Sequence, residues 1–187
     1  MIDLRRVLAA VDASDWTGPV LAAAGDLRRA FGADLTVLHA QLLLPPPYFT
    51  ERAVAALAQM LDSQRRAGEE WLRQTVARHL GDAPFTARLV EAAPAEAILR
   101  TARQVEADLV VVGTHGRTGL QRLLLGSVAE RVLRECDRPV LAVRPGPQGQ
   151  PPWAGGPRRS LCPVNFREVS RRALDWMELV LHSPDWR

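Results

Sequence analysis

Apolar residues along this chain follow two patterns. Short apolar runs lie at 7–11, 109–112 and 139–143, and segments 34–39 and 85–90 share their turn-bounded length. Such segments read as strands, the unbroken runs as strands covered on both faces. Elsewhere apolar residues recur every three or four positions, the spacing of one helix face. Ser14 or Asp15 can cap a first helix reaching about Phe31, with Pro19 in its first turn and Gly32 stopping it. A long helix is predicted over 51–80, carried by Val54, Leu57, Met60, Leu61, Trp71, Leu72 and Val76 around a polar middle at 62–68. Pro94 opens a third helix, with Ile98, Leu99 and Ala102 on one face, and a fourth runs from Ser127 to about Cys136. Pro45, Pro46 and Pro47 in a row forbid helix interior and central strand, so 41–50 reads as surface loop.

Strands alternating with helices through residues 1–144 predict an α/β fold. The form expected is a doubly wound, five-stranded parallel sheet with strand order 3-2-1-4-5 and right-handed crossovers. Residues 145–157, rich in proline and glycine, read as a linker. After it, Arg158-Arg159-Ser160-Leu161-Cys162-Pro163-Val164-Asn165 parallels Arg5-Arg6-Val7-Leu8-Ala9-Ala10-Val11-Asp12, and Ala173-Leu174 falls where Val20-Leu21 fall. Residues 158–187 therefore read as the opening β-α of a second copy, the alternative being a tail that matches by chance. One strand and one helix cannot fold alone, so this fragment must dock on the first domain or a partner, or stay mobile.

Composition narrows the chemistry. All 24 basic residues are arginine, against 21 acidic ones. A chain without lysine has no P-loop lysine, no Schiff base and no lysine general base. The arginines are scattered and aromatics are few, which argues against nucleic acid as a partner. Cys136 and Cys162 form no CxxC and read as small buried hydrophobes in a reducing compartment. Neither a signal peptide nor a membrane-spanning run is legible, so the expected location is the cytoplasm, with no membrane partner.

The informative segment is Gly113-Thr114-His115-Gly116-Arg117-Thr118-Gly119-Leu120-Gln121-Arg122-Leu123-Leu124-Leu125-Gly126-Ser127, between a buried strand and a helix. Gly113 can turn sharply at the strand end. Gly116 leaves room for a phosphate to reach the backbone. Gly126-Ser127 opens a helix, where unpaired N–H groups and the helix dipole favour an anion. The Ser127 hydroxyl can hydrogen-bond a phosphate or ligate a metal, and Arg117 and Arg122 offer nearby positive charge. In a sheet of order 3-2-1-4-5, Asp12 and Gly113 end two neighbouring strands whose connections diverge, the place where such folds bind ligands. Asp12 has a plainer reading as a turn or capping residue.

Gly113-x2-Gly116-x9-Gly126-Ser127 resembles the ATP-binding signature of the universal stress protein family. Val7 to Ser14, Leu35 to Ala40, the run 107–113 before the signature, Ser127-Val128-Ala129-Glu130 and the run 138–143 resemble that family too, over roughly residues 4–144. The resemblance implies a Rossmann-like fold of the adenine nucleotide α-hydrolase type that binds ATP, ADP or AMP. It implies that Asp12 and the backbone near Ala40 face base and ribose, and that Gly113, Gly116, Gly126, Ser127 and Val128 surround ribose and phosphates. Asp12 and Ser127 would help hold Mg²⁺. Some ATP-binding members carry proline where this chain has Ala10. Asn165 stands in the second copy where Asp12 stands, and no glycine-rich loop follows it.

No dedicated general base is evident: His115 lies in the loop and His39 ends a strand. The expected role is a nucleotide-binding regulatory module, with a slow ATPase or nucleotide-transferring enzyme, or a dimer scaffold, as alternatives. Residues 139–143 form an apolar edge strand, and the family commonly dimerises through it, so a homodimer is expected unless 158–187 cover that edge.

Overall fold

The computed structural model describes residues 3–42, 51–114, 125–144 and 168–181. Gly116, Arg117, the segment 145–157 and the segment 158–165, expected to repeat the first strand, lie outside the described residues. The described elements are β1 (Arg6–Val11), α1 (Thr17–Phe31), β2 (Asp34–Ala40), α2 (Glu51–Leu80), β3 (Thr86–Val90), α3 (Pro94–Gln104), β4 (Leu109–Gly113), α4 (Ser127–Glu135), β5 (Val140–Val143) and α5 (Glu168–Leu181). The five strands form one parallel sheet in the order β3-β2-β1-β4-β5, as the sequence predicts.

Side chains alternate across a strand, so each central strand feeds two cores. Val7, Ala9 and Val11 join Leu35, Val37, Leu109, Val111 and Val143 on one face, beneath α1 and α2. Leu8, Leu38, Val110 and Val112 meet Ile98, Ala102, Ala129 and Val132 of α3 and α4 on the other. This placement, two helices on each face, follows from right-handed crossovers running outward from β1 in both directions. The half-buried Trp176 and Leu179 of α5 pack against the α1–α2 cluster, so α5 docks on that face.

Helix boundaries have identifiable causes. Gly32 ends α1 in the left-handed region, at φ 65° and ψ 23°. The N–H of Ala33 reaches the carbonyl of Arg28, the 6→1 bond of a Schellman closure, and the N–H of Gly32 reaches the same carbonyl. At the opposite end of the sheet from the cavity described below, Asp108 Oδ2 accepts the backbone N–H groups of Arg5 and Arg6 at 3.0 and 2.8 Å. That pins the start of β1 beside β4. Cys136 is half-buried against the α3–α4 cluster, and burial pushes its thiol pKa up, which disfavours a reactive thiolate.

Replacing Gly32 by alanine is expected to cost about 1 kcal/mol, because an L-residue pays for the left-handed conformation. Asparagine should cost less. Urea unfolding with an unchanged slope is the measurement.

Candidate nucleotide site

A cavity of about 880 Å³ lies beyond the C-terminal ends of β1, β2 and β4. That is the size class of small-molecule and cofactor pockets, roughly 300–1,000 Å³. It sits at the switch point of the sheet, where β1 leads to α1 on one face and β4 to α4 on the other. Asp12, Ala40, Gly113, Gly126, Ser127 and Val128 all line it. The sequence proposed each of these six for a ligand. Gly116 and Arg117, proposed with them, lie outside the described residues.

The end of β1 is a tight polar turn. Asp12 Oδ1 accepts the N–H of Ser14 at 3.2 Å and its hydroxyl at 2.5 Å. Ser14 Oγ in turn accepts the N–H of Trp16 at 3.3 Å, and its carbonyl accepts the N–H of Thr17 at 3.0 Å. Between them Ala13 sits at φ 59°, a conformation unusual for a residue with a Cβ. This corrects the expected helix start. Neither Ser14 nor Asp15 is the N-cap: Trp16 is, and α1 begins at Thr17. The Asp12 side chain holds Ser14 in the turn, so the helix opens later. The plain reading of Asp12 as a turn residue is therefore correct as far as it goes, and the same residue also faces the cavity.

The end of β4 also departs from expectation. Gly113 makes no sharp turn; it stays in the strand, paired with Val143, and its φ is not positive. The chain is instead tied at the two ends of the glycine-rich segment. Thr114 N–H donates to Val143 O at 3.0 Å, and Gly126 N–H donates to Thr114 O at 2.7 Å. Gly126 is the N-cap of α4, extended at φ −64° and ψ 147°, and no side chain caps the helix. Its own amide is thus occupied, while its carbonyl accepts Glu130 N–H at 2.8 Å. The amides of Ser127, Val128 and Ala129 have no carbonyl one turn earlier within the helix. All three residues line the cavity.

Among the described lining residues Asp12 is the one carboxylate, and none is arginine. An anion at α4 would therefore be met by amides and by the helix dipole, roughly half a positive charge at that end. The β2–α2 side is aromatic. His39 is buried, and its Nδ1 lies 2.8 Å from Val11 O. A carbonyl only accepts, so Nδ1 carries the proton. The His39 ring packs on Trp71 of α2 with centroids 4.8 Å apart and planes tilted by 56°. Gln64, Gly68 and Trp71, spaced four and three residues apart, bring one face of α2 to the cavity.

A family model described as "Universal stress protein family" matches residues 3–144. The chain belongs to that family. A universal stress protein of Thermus aquaticus is 35% identical over 144 residues, covering 75% of this chain and 98% of the relative. Universal stress protein MJ0531 of Methanocaldococcus jannaschii is 30% identical over 142 residues, 75% of this chain and 82% of the relative. Among solved structures, a universal stress protein in complex with cAMP aligns with a TM-score of 0.51 at 28% identity, over 76% of this chain and 98% of that one. The sheet order and the helix placement in this chain match that family's fold.

Trp16, His39, Gln64, Gly68 and Trp71 were not legible as site residues. Trp71 reads as core in the apolar stretch with Leu72 and Val76, and it does pack on the α1–α2 cluster while also lining the cavity. The polar middle at 62–68 was the available signal: there α2 passes the cavity rather than the core.

Ala13→Gly is expected to stabilise the fold slightly. Relief of the left-handed alanine returns about 1 kcal/mol or more, and glycine's extra unfolded-state entropy takes back about 0.5–1 kcal/mol. The net gain, about 0.5 kcal/mol, should appear as a higher urea midpoint.

Proposed function

We propose that this universal stress protein binds an adenine nucleotide in the cavity, ATP first with ADP and AMP as alternatives, and serves as a nucleotide-dependent regulatory module. The observation that carries this is the uncapped first turn of α4 opening on the same cavity as Asp12. The amides of Ser127, Val128 and Ala129 suit a phosphate tail. The Asp12 carboxylate is an acceptor, suited to ribose hydroxyls or a base N–H and ill suited to phosphate. The polyanion is thereby drawn to α4, and Asp12 meets the nucleoside directly or a phosphate only through a bridging Mg²⁺. A relative of 28% identity crystallised with cAMP supports the ligand class.

Gly113 and Ala40 belong to this reading as backbone walls, and Gly116 and Arg117 as phosphate contacts. Asp12 and Ser127 are the residues assigned to Mg²⁺. No cluster of three or more His, Cys, Asp or Glu suited to a metal occurs among the described residues, so the ion would arrive with the nucleotide, whose phosphate oxygens share its coordination. Binding without efficient turnover is favoured. Of the described titratable groups in the cavity, Asp12 is held in its turn, and His39, which donates through Nδ1–H to Val11 O and keeps Nε2 as its basic nitrogen, lies buried on the β2–α2 side rather than at the α4 amides.

Residues 1–144 are assigned as the nucleotide-binding domain, 145–157 as linker and 158–187 as a partial second copy. No helix among the described residues is long and apolar enough to cross a membrane, and the cytoplasm is the assigned location. β5 ends the sheet, with no strand beside its outer edge among the described residues, and its side chains are apolar and at most half-buried save Val143. Pairing of two chains through β5 is the proposed assembly. Light scattering should give twice the 20.6 kDa chain mass; a monomer contradicts this pairing.

Calorimetry with ATP, ADP and AMP should show saturable binding. Asp12→Asn keeps the turn's acceptor oxygen but removes the charge, and should weaken ATP by about 1.5–3 kcal/mol. No heat with any of the three nucleotides sinks the reading. Steady multiple turnover in a phosphate-release assay, abolished by Asp12→Asn, would favour an enzyme instead.

A further inference from the structure

We propose that Trp71, braced by His39, is the specificity-determining plate of the cavity, and that it selects a purine over a pyrimidine ring. This rests on the nucleotide reading above and says which group reads the base. The cavity has two chemically distinct ends. Its α4 end offers backbone amides. Its β2–α2 end offers Trp71, His39, Gln64, Gly68 and the backbone around Ala40. A ligand anchored by its phosphates at α4 carries its ring system toward the second end.

Three features make Trp71 a plate rather than filler. First, it is half-buried, while Leu72 and Val76 on the same helix are fully buried. It packs on the α1–α2 core cluster on one side and lines the cavity on the other. Second, it is held. The His39 ring packs on it at 4.8 Å and is itself fixed through Nδ1–H to Val11 O at 2.8 Å. A plate whose orientation is set in advance loses little freedom when a ring stacks on it. Third, α2 is brought close by design of sequence. A Cβ at Gly68 would stand 2.9 Å from Gln41 Oε1 and 3.1 Å from Leu89 Cδ2. The missing side chain lets the helix approach the end of β2 one turn before Trp71. The larger surface of a purine gains more from such a plate than a pyrimidine does. Base–aromatic stacking typically changes affinity by about fivefold to a hundredfold or more.

Two measurements test this. The first needs no variant. The wild-type chain is photolabelled with 8-azido-ATP and digested with trypsin, which releases residues 67–73 as one peptide. Label on that peptide is expected; label confined to other peptides overturns the proposal. The second compares affinities for ATP and CTP in the wild type and in Trp71→Leu. The wild type should prefer ATP by about tenfold, and the variant should lose most of that preference. The ratio is read within each protein, so a general loosening of the site does not imitate it. Equal wild-type affinities, or an unchanged ratio in the variant, overturn the role of Trp71 while leaving nucleotide binding intact. A wild-type chain that binds neither nucleotide overturns the nucleotide reading itself.

Discussion

β1 and β4 lie side by side and parallel, yet the chain leaves them toward opposite faces of the sheet. The site depends on that one constraint. Parallel pairing aligns the carboxyl ends of the two strands, and the diverging connections leave a crevice that no crossover helix fills. Asp108 strengthens the alignment from the far end by gripping the amides of Arg5 and Arg6. The crevice then receives two structures of opposite character, an acidic turn after β1 and an uncapped helix start after β4.

Each was left polar by a specific local choice. Asp12 is drawn into a turn with Ser14, which delays α1 until Thr17 and holds Ala13 at positive φ. Gly126 occupies an N-cap position without the side chain that serine or aspartate would use to satisfy the first amides. Its amide is bound to Thr114 O, so the donors that remain are those of the first turn of α4. The 30-residue α2 closes the third side. Leu72 and Val76 bury one face of its second half in the core, and its polar stretch carries Gln64 and Gly68 past the cavity.

Much of this was legible because the relevant signals are local and periodic. The apolar runs at 7–11 and 109–112 mark β1 and β4, since a strand covered on both faces has no polar side to show. Gly32 marks the end of α1 because only a left-handed residue closes that helix cheaply. Asp12 and Gly113 could be placed together before any contact was known, because their strands neighbour each other at the switch point. What was not legible depends on distant packing. Trp71 and His39 meet across 32 residues of sequence, and the spacing of Trp71 is that of ordinary core. The start of α1 was misplaced because two candidate caps stand in a row, and a side-chain bond from Asp12 decides between them and a third position. Gly113 was expected to turn, and the ladder to Val143 keeps it extended.

The central claim is that three backbone amides at the start of α4 grip an anionic tail while the nucleoside lies toward β2. Backbone amide chemical shifts, followed while ATP and then adenosine are added to separate samples, test it most directly. The account predicts that ATP moves the Ser127, Val128 and Ala129 amides, and that adenosine leaves them in place while disturbing the surroundings of Asp12 and Trp71. Bound ATP that leaves those three amides unmoved contradicts it.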